Sequence, residues 1–253
     1  MKKALLITIT LLVVLVLAVY LGGHLFLGSI TKAGVNKFGP GITQTTVHLD
    51  GANISPLSGA GTLTGLTVGN PKGWSENNAL SLGRVYIDVA PLSLLGDHIV
   101  INEIIIDQAQ FLYETKIVAS NIGDLLKNIE QSLGAKDEKD PNAAPAEPIK
   151  MVVKKLLIQD GRIALGVGGT AIALPMPPII LTDLGTAEGG ITPGQLAAAV
   201  MRSVTSSIVA ATRQAMSAVG GTSGAAAAEG VKQLGGAIKG LFGGGKKKEE
   251  GTK

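Results

Sequence analysis

The sequence predicts a β-rich α+β fold: an N-terminal transmembrane helix, then a curved, mostly antiparallel β-sheet with two packed helices and a flexible C-terminal tail. Three observations predict it. Residues 4–27 form a long apolar stretch, several later segments alternate apolar and polar residues, and one such segment occurs twice in the chain. Alternation with a period of two is typical of strands, whereas an unbroken apolar stretch of this length is typical of a membrane span.

The composition excludes several classes of function. The chain has 253 residues, no cysteine and a formal net charge of +3. Without cysteine there are no disulfides, no thiol nucleophile and no cysteine metal site. Nucleic acid is not an expected partner, because no basic stripe with interleaved aromatic residues is present and only 3% of residues are aromatic.

The apolar stretch is expected to be an uncleaved membrane anchor. Ala4–Leu27 contains no Asp, Glu, Lys or Arg and would extend roughly 36 Å as a helix, enough to cross a bilayer core. A signal peptide is the rival interpretation, but its apolar region is normally about 7–15 residues and ends in an A-x-A-like site, which is not found here. Lys2 and Lys3 precede the span, and the expected orientation leaves the N-terminus in the cytoplasm and exports the rest.

Alternating segments rich in Val, Ile and Thr predict the strands of the sheet. Gly39-Pro40-Gly41 is expected to break the chain before the first of them, and prolines at 175–178 mark a turn or an edge. The predicted strands are Ile42–Leu49, Gly59–Val68, Arg84–Val89, His98–Asp107, Ala109–Tyr113, Lys150–Gln159, Arg162–Leu165, Thr170–Leu174 and Ile179–Leu184.

Two amphipathic segments predict the helices. Asn121 is expected to cap a helix with an apolar stripe, and Thr192-Pro193-Gly194-Gln195 has the pattern of a capping box at the start of a longer one. The stripe of the first helix consists of Ile122, Leu125, Leu126, Ile129 and Leu133. The resulting division is 1–28 cytoplasmic stub and anchor, 29–133 sheet region with a helix, 134–148 disordered linker, 149–219 continued sheet and long helix, and 220–253 low-complexity tail.

The internal repeat carries an apolar face. INEIIIDQAQFLY at 101–113 matches VKKLLIQDGRIAL at 153–165. In both copies one side of the strand is consistently apolar, and the other side has apolar residues between charged ones. This face has two interpretations: the packed side of a sheet, or a concave groove open to a lipid chain. The groove candidates are Val85, Ile87, Val89, Val100, Ile104, Ile106, Val152, Leu156 and Ile158.

The only tryptophan lies in a polar turn between two predicted strands. Asn70, Pro71 and Gly73 have turn chemistry, because proline fixes φ and glycine accepts a positive φ. Trp74 is expected to fold back over the end of the sheet as a structural residue, with contact to a ligand as the alternative. Loss of stability in Trp74→Ala is the outcome that the structural interpretation predicts.

Catalysis and metal binding have little support in the sequence. His24, His48 and His98 are scattered, and Glu103 and Asp107 are expected to be solvent-facing strand charges rather than a pair of catalytic carboxylates. Neither a phosphate-binding glycine loop nor a Gly-x-Ser-x-Gly motif is present. We therefore expect neither enzymatic activity nor a cofactor.

The order of these features resembles the bacterial AsmA-like proteins, inner-membrane-anchored relatives of the bridge-like lipid-transfer proteins that have a repeating β-groove. The resemblance lies in the N-terminal span, GLTVGNPKGW, ALSLGRVYIDVAPLSLLGDHIVINEIIIDQAQFLYE and SNIGDLLKNIE, in that order. It covers residues 1–133 well and 150–219 loosely, and this chain is much shorter than the larger members. The resemblance implies a single-pass protein of the bacterial inner membrane, with most of the chain in the periplasm and no catalytic residues.

Three functions follow as expectations. The first is lipid binding or transfer in outer-membrane homeostasis, with a phospholipid in the apolar groove. The second is a structural or assembly factor that binds an envelope protein partner through Thr192–Val219 and carries no lipid. The third is a closed β-sandwich of the water-stress and hypersensitive-response kind, whose strands also run into Asn-Pro turns.

Overall fold

The computed structural model describes residues 22, 26–116, 119–134, 149–167 and 170–220. Three helices and eight strands lie within these ranges, and they form a β-rich α+β fold with an open, mostly antiparallel sheet, which confirms the predicted fold class at that level. The elements are α1 (26–43), β1 (Val47–Ile54), β2 (Ala60–Gly69), β3 (Asn78–Val89), a 3-10 helix (Pro91–Leu95), β4 (Ile99–Glu114), α2 (Asn121–Gly134), β5 (Met151–Gln159), β6 (Arg162–Val167), β7 (Thr170–Pro175), β8 (Ile179–Leu184) and α3 (Pro193–Gly220).

Most of the predicted anchor, all but the first residue of the linker and nearly all of the tail lie outside the described residues. These parts are 1–21, 23–25, 135–148 and 221–253. Among the helices that are described, none is long and apolar enough to cross a bilayer. The anchor at residues 4–27 therefore stays a prediction.

The order of the strands is β1-β2-β3-β4-β5-β8. β6 pairs with β4 on the same side as β5, and β7 pairs with β6. β4 is the longest strand, and its two ends have different partners: Ile99–Asp107 pairs with β5, and Gln110–Glu114 pairs with β6. Both of these pairings are parallel, and every other strand pairing of the sheet is antiparallel.

The two copies of the repeat lie side by side in this sheet. Ile104 pairs with Leu156, Ile106 with Ile158, and Phe111 with Ile163, so equivalent positions of the two copies are direct neighbours. Directly opposed residues of neighbouring strands point to the same face. The repeat therefore generates rows of matching side chains across the centre of the sheet. α2 lies in the part of the chain between β4 and β5, and a parallel pair requires such a long connection.

The helices pack on one face of the sheet, called here the core face. α2 and α3 contribute fully buried side chains to the same hydrophobic cluster as the strands, and partly buried Val35 and Ile42 of α1 pack against it. The buried side chains of α2 and α3 are Ile122, Leu125, Ile129, Ala198, Met201, Val204, Ile208 and Ala211. The predicted stripe of α2 is confirmed, except that Leu133 at its end is 40% exposed.

The strand predicted at Ile42–Leu49 is wrong in its first half. Residues 26–43 are helical, and β1 begins only at Val47. The hydroxyl of Thr43 donates to the carbonyl oxygen of Gly39 four residues earlier, as a helical threonine does. Gln44 follows with φ +55°, a left-handed conformation of the kind that ends a helix, so the chain turns into β1 after the helix and not at Gly39-Pro40-Gly41.

Of the two predicted helix caps, the one of α3 is confirmed and the one of α2 is wrong by one residue. The capping box of α3 is confirmed, because the Gln195 N–H donates to the Thr192 hydroxyl at 3.2 Å and the Thr192 N–H donates to the Gln195 side chain at 2.8 Å. For α2 the cap is Ser120, whose hydroxyl accepts the Gly123 N–H at 3.0 Å. Asn121, the predicted cap, is the first residue of the helix and points into the protein.

Candidate functional site

The predicted groove residues form continuous rows on the core face. One row runs through Val85, Ile106 and Ile158, and the next runs through Ile87, Ile104 and Leu156. The first row continues into Leu63 on β2 and Ile179 on β8, so it crosses five adjacent strands.

The structure closes these rows under its own helices. The exposed fractions are 5% for Val85, 6% for Ile104, 7% for Ile106, 2% for Leu156 and 1% for Ile158. Ile87 and Val89 are half-buried and pack against the same cluster. A side chain with so little exposed area has protein neighbours on nearly every side, so an acyl chain has no access to these five residues in this conformation.

Val100 and Val152 do not share a face with the other candidates. They pair with each other and are half-buried, whereas their neighbours Ile101 and Val153 are 7% and 0% exposed and belong to the core. Successive side chains of a strand point to opposite faces, so Val100 and Val152 lie on the side away from the helices. This part of the sequence-based face assignment is wrong.

The reason is an interruption of the strand alternation. From Ile101 to Ile104, and from Val153 to Leu156, the chain advances three residues between two buried side chains instead of two. In the neighbouring strand β8 the same level contains Asp183, which has the left-handed φ of +56°. An extra residue of this kind is a β-bulge, and it reverses the side on which every later side chain of the strand lies.

A second line of such interruptions crosses the middle of the sheet. Gly65 in β2, Gln108 in β4 and Asp160 between β5 and β6 have φ values of +64°, +56° and +52°. At Gly65 a side chain would collide with the carboxylate of Asp50 on β1. The line explains why the repeat contains two strand segments in each copy, because both copies reverse at the same position.

The opposite face of the sheet, called here the open face, has an apolar row between two polar ones. Tyr86, Ile105, Leu157 and Ile180 are direct neighbours on β3, β4, β5 and β8. The first three are half-buried and Ile180 is 61% exposed. The sequence shows this row only as the apolar positions between charges on the mixed side of the repeat.

Charged side chains pair across the strands beside this apolar row. The Lys155 ammonium lies 2.8 Å from the Glu103 carboxylate, and on the other side the Gln159 amide donates to Asp107 at 2.8 Å. Arg84 approaches the same Asp107 carboxylate at 3.9 Å. Glu103 and Asp107 are thus engaged with neighbouring strands, as expected for strand charges, rather than facing a common reacting atom.

The turn before β3 is joined to α2 through Trp74. The Trp74 indole N–H donates to the Asp124 carboxylate at 2.8 Å, and the Lys116 ammonium lies 4.5 Å from the centre of the ring. Lys116 also donates to the Gly73 carbonyl oxygen at 2.7 Å. Trp74 is half-buried, and these contacts are those of a residue that holds a turn against a helix.

A buried asparagine completes this junction. Asn121 is fully buried, and its side chain accepts the Glu114 N–H at 2.9 Å and donates to the Leu112 carbonyl oxygen and the Asn70 side chain, both at 2.7 Å. Asn70 in turn donates to Glu114 and to Ser75. The polar groups of the turn are therefore satisfied by β4 and α2, an arrangement that the sequence pattern did not show.

One cleft of about 640 Å³ opens where the sheet changes partners. It lies between the Asp160 bulge and the proline-rich connection from β7 to β8, and Arg162 is the one charged side chain that lines it besides Asp160. Pro175 and Pro178 border it. Its wall holds one carboxylate, Asp160, and no histidine.

The histidines do not converge. His48 lies on β1, 3.1 Å from the Asp50 carboxylate, and His98 lies just before β4; His24 lies outside the described residues. In the described part of the chain, no three His, Asp or Glu side chains are grouped so that they could hold a metal ion.

Comparison with models of known protein families and with curated proteins gives no match for this chain.

Proposed function

We propose that this chain is a non-enzymatic protein of the bacterial envelope that acts as an assembly or scaffolding factor for an envelope protein partner. In this proposal residues 4–27 hold it in the inner membrane and the rest of the chain lies in the periplasm. The apolar stretch and the resemblance to the AsmA-like proteins support the location. No cofactor and no nucleic acid takes part.

One observation favours scaffolding over transport of a lipid. The face that the sequence offers as a groove is filled by α2 and α3, and its five central residues are at most 7% exposed. A lipid carrier has to bury an acyl chain against such a face. Because the core is closed, a ligand or a partner has to bind on the outer surface of the protein. A sheet held on a membrane offers such a surface to a second protein.

Lipid handling remains a second candidate because of the open face. The row Tyr86, Ile105, Leu157 and Ile180 is apolar and continuous over four strands, and its last member is 61% exposed. An acyl chain that lies along this row would be bordered by the charged pairs on either side. The resemblance to lipid-transfer proteins favours this candidate, whereas the polar and charged pairs on both sides of the row favour a protein partner that can pair with them.

Photocrosslinking in cells separates the two candidates. A photoreactive phenylalanine analogue replaces Ile180 in the full chain, and the same analogue at Glu76, in the turn at one end of the sheet, is the control. The sequence suggests Thr192–Val219 as the surface for the partner, but the apolar side of this helix is buried in the core. The proposal therefore assigns the partner to the open face, and it expects a protein adduct from position 180 and none from position 76. A phospholipid adduct at position 180 would support lipid handling on the open face instead.

Lipid analysis of the purified full chain tests the core directly. The closed core predicts that delipidation with detergent leaves the free energy of unfolding unchanged, because no acyl chain is part of the packed face. One phospholipid retained per chain, whose removal destabilises the fold, would overturn the proposal and restore a cargo site inside the protein.

A further inference from the structure

The strongest unexplained feature is a group of exposed apolar side chains at one end of the sheet. The 3-10 helix between β3 and β4 has the sequence PLSLL and buries none of its residues. Leu92, Leu94 and Leu95 are 83%, 60% and 88% exposed. Three leucines in water within four residues are unusual for a surface that faces only solvent.

Two further apolar residues lie at the same end. Leu57, in the turn from β1 to β2, is 77% exposed, and Ile149, just before β5, is 64% exposed. The register joins these segments: the Val89 N–H donates to the Gly59 carbonyl oxygen, and the Ile99 N–H donates to the Lys150 carbonyl oxygen at 2.9 Å. We call the surface formed by Leu57, Leu92, Leu94, Leu95 and Ile149 the leucine end.

The first helix brings the N-terminal apolar stretch to this end. α1 lies along β1 in the opposite direction: its residue 28 approaches the carbonyl oxygen of Ala52, and the Asn36 side chain bonds both backbone groups of Leu49. The first turn of α1 is therefore beside the strand end that leads to Leu57. Phe26 and Ile30 in that turn are 66% and 50% exposed.

The charges near this end are few. Asp97 follows the 3-10 helix, Lys150 precedes β5, and Glu188 lies in the loop after β8. Lys32 in α1 and Asp88 at the end of β3 also lie near it and cancel each other, so the net charge of these five side chains is −1. Attraction to anionic lipids therefore does not explain a membrane contact here. Burial of apolar side chains in the boundary between head groups and acyl chains does.

We infer that the leucine end is inserted into the surface of the lipid bilayer and fixes the sheet upright on the membrane. The occupant is identified by the chain itself, because residues 4–25, which contain no Asp, Glu, Lys or Arg, lead directly into α1 at this end. A chain that enters a bilayer beside these leucines places them at the interface. The inference rests on the membrane attachment in the proposed function, but not on scaffolding or lipid handling.

The absence of cysteine makes a direct test feasible. Leu57→Cys and Leu94→Cys, each in the full chain, are labelled with an environment-sensitive fluorophore and reconstituted into vesicles of phosphatidylethanolamine and phosphatidylglycerol. Glu76→Cys is the matched control, because the turn of residues 70–77 lies at the opposite end of the sheet. Nitroxide lipids, with the spin label close to the head group or deep in the acyl chain, quench labels according to depth.

The inference predicts blue-shifted emission at positions 57 and 94 and stronger quenching by the shallow nitroxide, since interfacial residues lie about 5–10 Å into the head-group boundary. The label at position 76 should stay in water. Raised salt should leave the result unchanged, because apolar burial drives the contact.

Each other outcome has a distinct meaning. If the chain floats with the vesicles but all three labels remain in water, the inference is overturned while membrane attachment stands. Blue shifts at 57 and 94 without quenching would show that a protein, either a second copy or a partner, covers the leucine end, and this also overturns the inference. If the chain does not float, both membrane attachment and the inference fail.

Discussion

The core face and the open face are built from the same strands, yet their side chains differ in a systematic way. On the core face the repeat supplies Ile104, Ile106, Leu156 and Ile158 without a polar residue between them, and all are buried. On the open face the corresponding row of Ile105 and Leu157 lies between charged pairs and keeps contact with water.

This difference shows how to interpret apolar strands in a sequence. A face that is apolar at every position has to be covered, and here the same chain provides the cover with α2 and α3. A face with apolar positions between charges tolerates water and remains available to a ligand or a partner. The core face is thus the poorer candidate for a binding site, although its apolar pattern is the clearer one in the sequence.

The largest expected effect compares two adjacent leucines. Leu156→Ala removes a side chain that is 2% exposed from the centre of the core, and we expect it to lower the free energy of unfolding by about 2–5 kcal/mol. Leu157→Ala is the matched control on the open face and should cost about 1 kcal/mol or less, because its side chain is only half-buried. Urea unfolding measures both, and equal losses would contradict the assignment of the two faces.

A smaller loss is expected at the junction that holds the helical cover in place. Asn121→Ala leaves the Leu112 carbonyl oxygen and the Glu114 N–H without their partner, which should cost about 1–3 kcal/mol. The exposed Asn77, which makes one side-chain hydrogen bond to Ser75, is the control and should tolerate alanine. A loss at Asn77 as large as that at Asn121 would mean that burial of the network is not what matters.

The indole contact of Trp74 should be smaller again. A double-mutant cycle of Trp74→Phe and Asp124→Ala isolates the 2.8 Å hydrogen bond, for which we expect a coupling of about 1 kcal/mol because the acceptor is charged and the site half-buried. Chemical denaturation provides the four free energies. Zero coupling, combined with unchanged stability of Trp74→Ala, would instead favour a contact with a ligand.

The smallest effect concerns the charges of the open face. The Lys155 and Glu103 side chains remain partly exposed, so Lys155→Ala should change stability by less than about 1 kcal/mol. The effect should shrink further at high salt, which screens a surface pair. A salt-independent loss of several kcal/mol would show that this face is covered and not open.

The sequence predicts much of this fold because the patterns are local. All nine predicted strands overlap strands of the structure, although Ile42–Leu49 does so only at residues 47–49 and two predicted strands are merged in β4. The capping box of α3 and most of the stripe of α2 also correspond to the structure. The repeat also shows which strand positions are equivalent. It does not show that Ile104 pairs with Leu156, since this parallel pairing depends on contacts far apart in the chain.

The remaining differences have local physical causes. Regular alternation predicts Val100 and Val152 on the core face, but a bulge that no glycine marks in β4 or β5 reverses their side. The sequence predicts Asn121 as the cap of α2, but Ser120 fills this role and the Asn121 side chain bonds to β4 and to Asn70. Whether an apolar face of a sheet is covered depends on where the helices pack. The spacing of apolar residues in a helix shows that it has an apolar side, but not which surface that side covers.

The closed state of the core face is tested most directly by the reactivity of two neighbouring cysteines. Ile106→Cys and Ile105→Cys are introduced singly into the cysteine-free chain, with thermal unfolding as a check on the fold, and their rates of reaction with a small maleimide are compared. Ile106 is 7% exposed under the helices, so we expect its thiol to react at least about 100-fold more slowly, as an opening cost of a few kcal/mol requires. Equal rates at the two positions would contradict the account, because they would show that the apolar face is open.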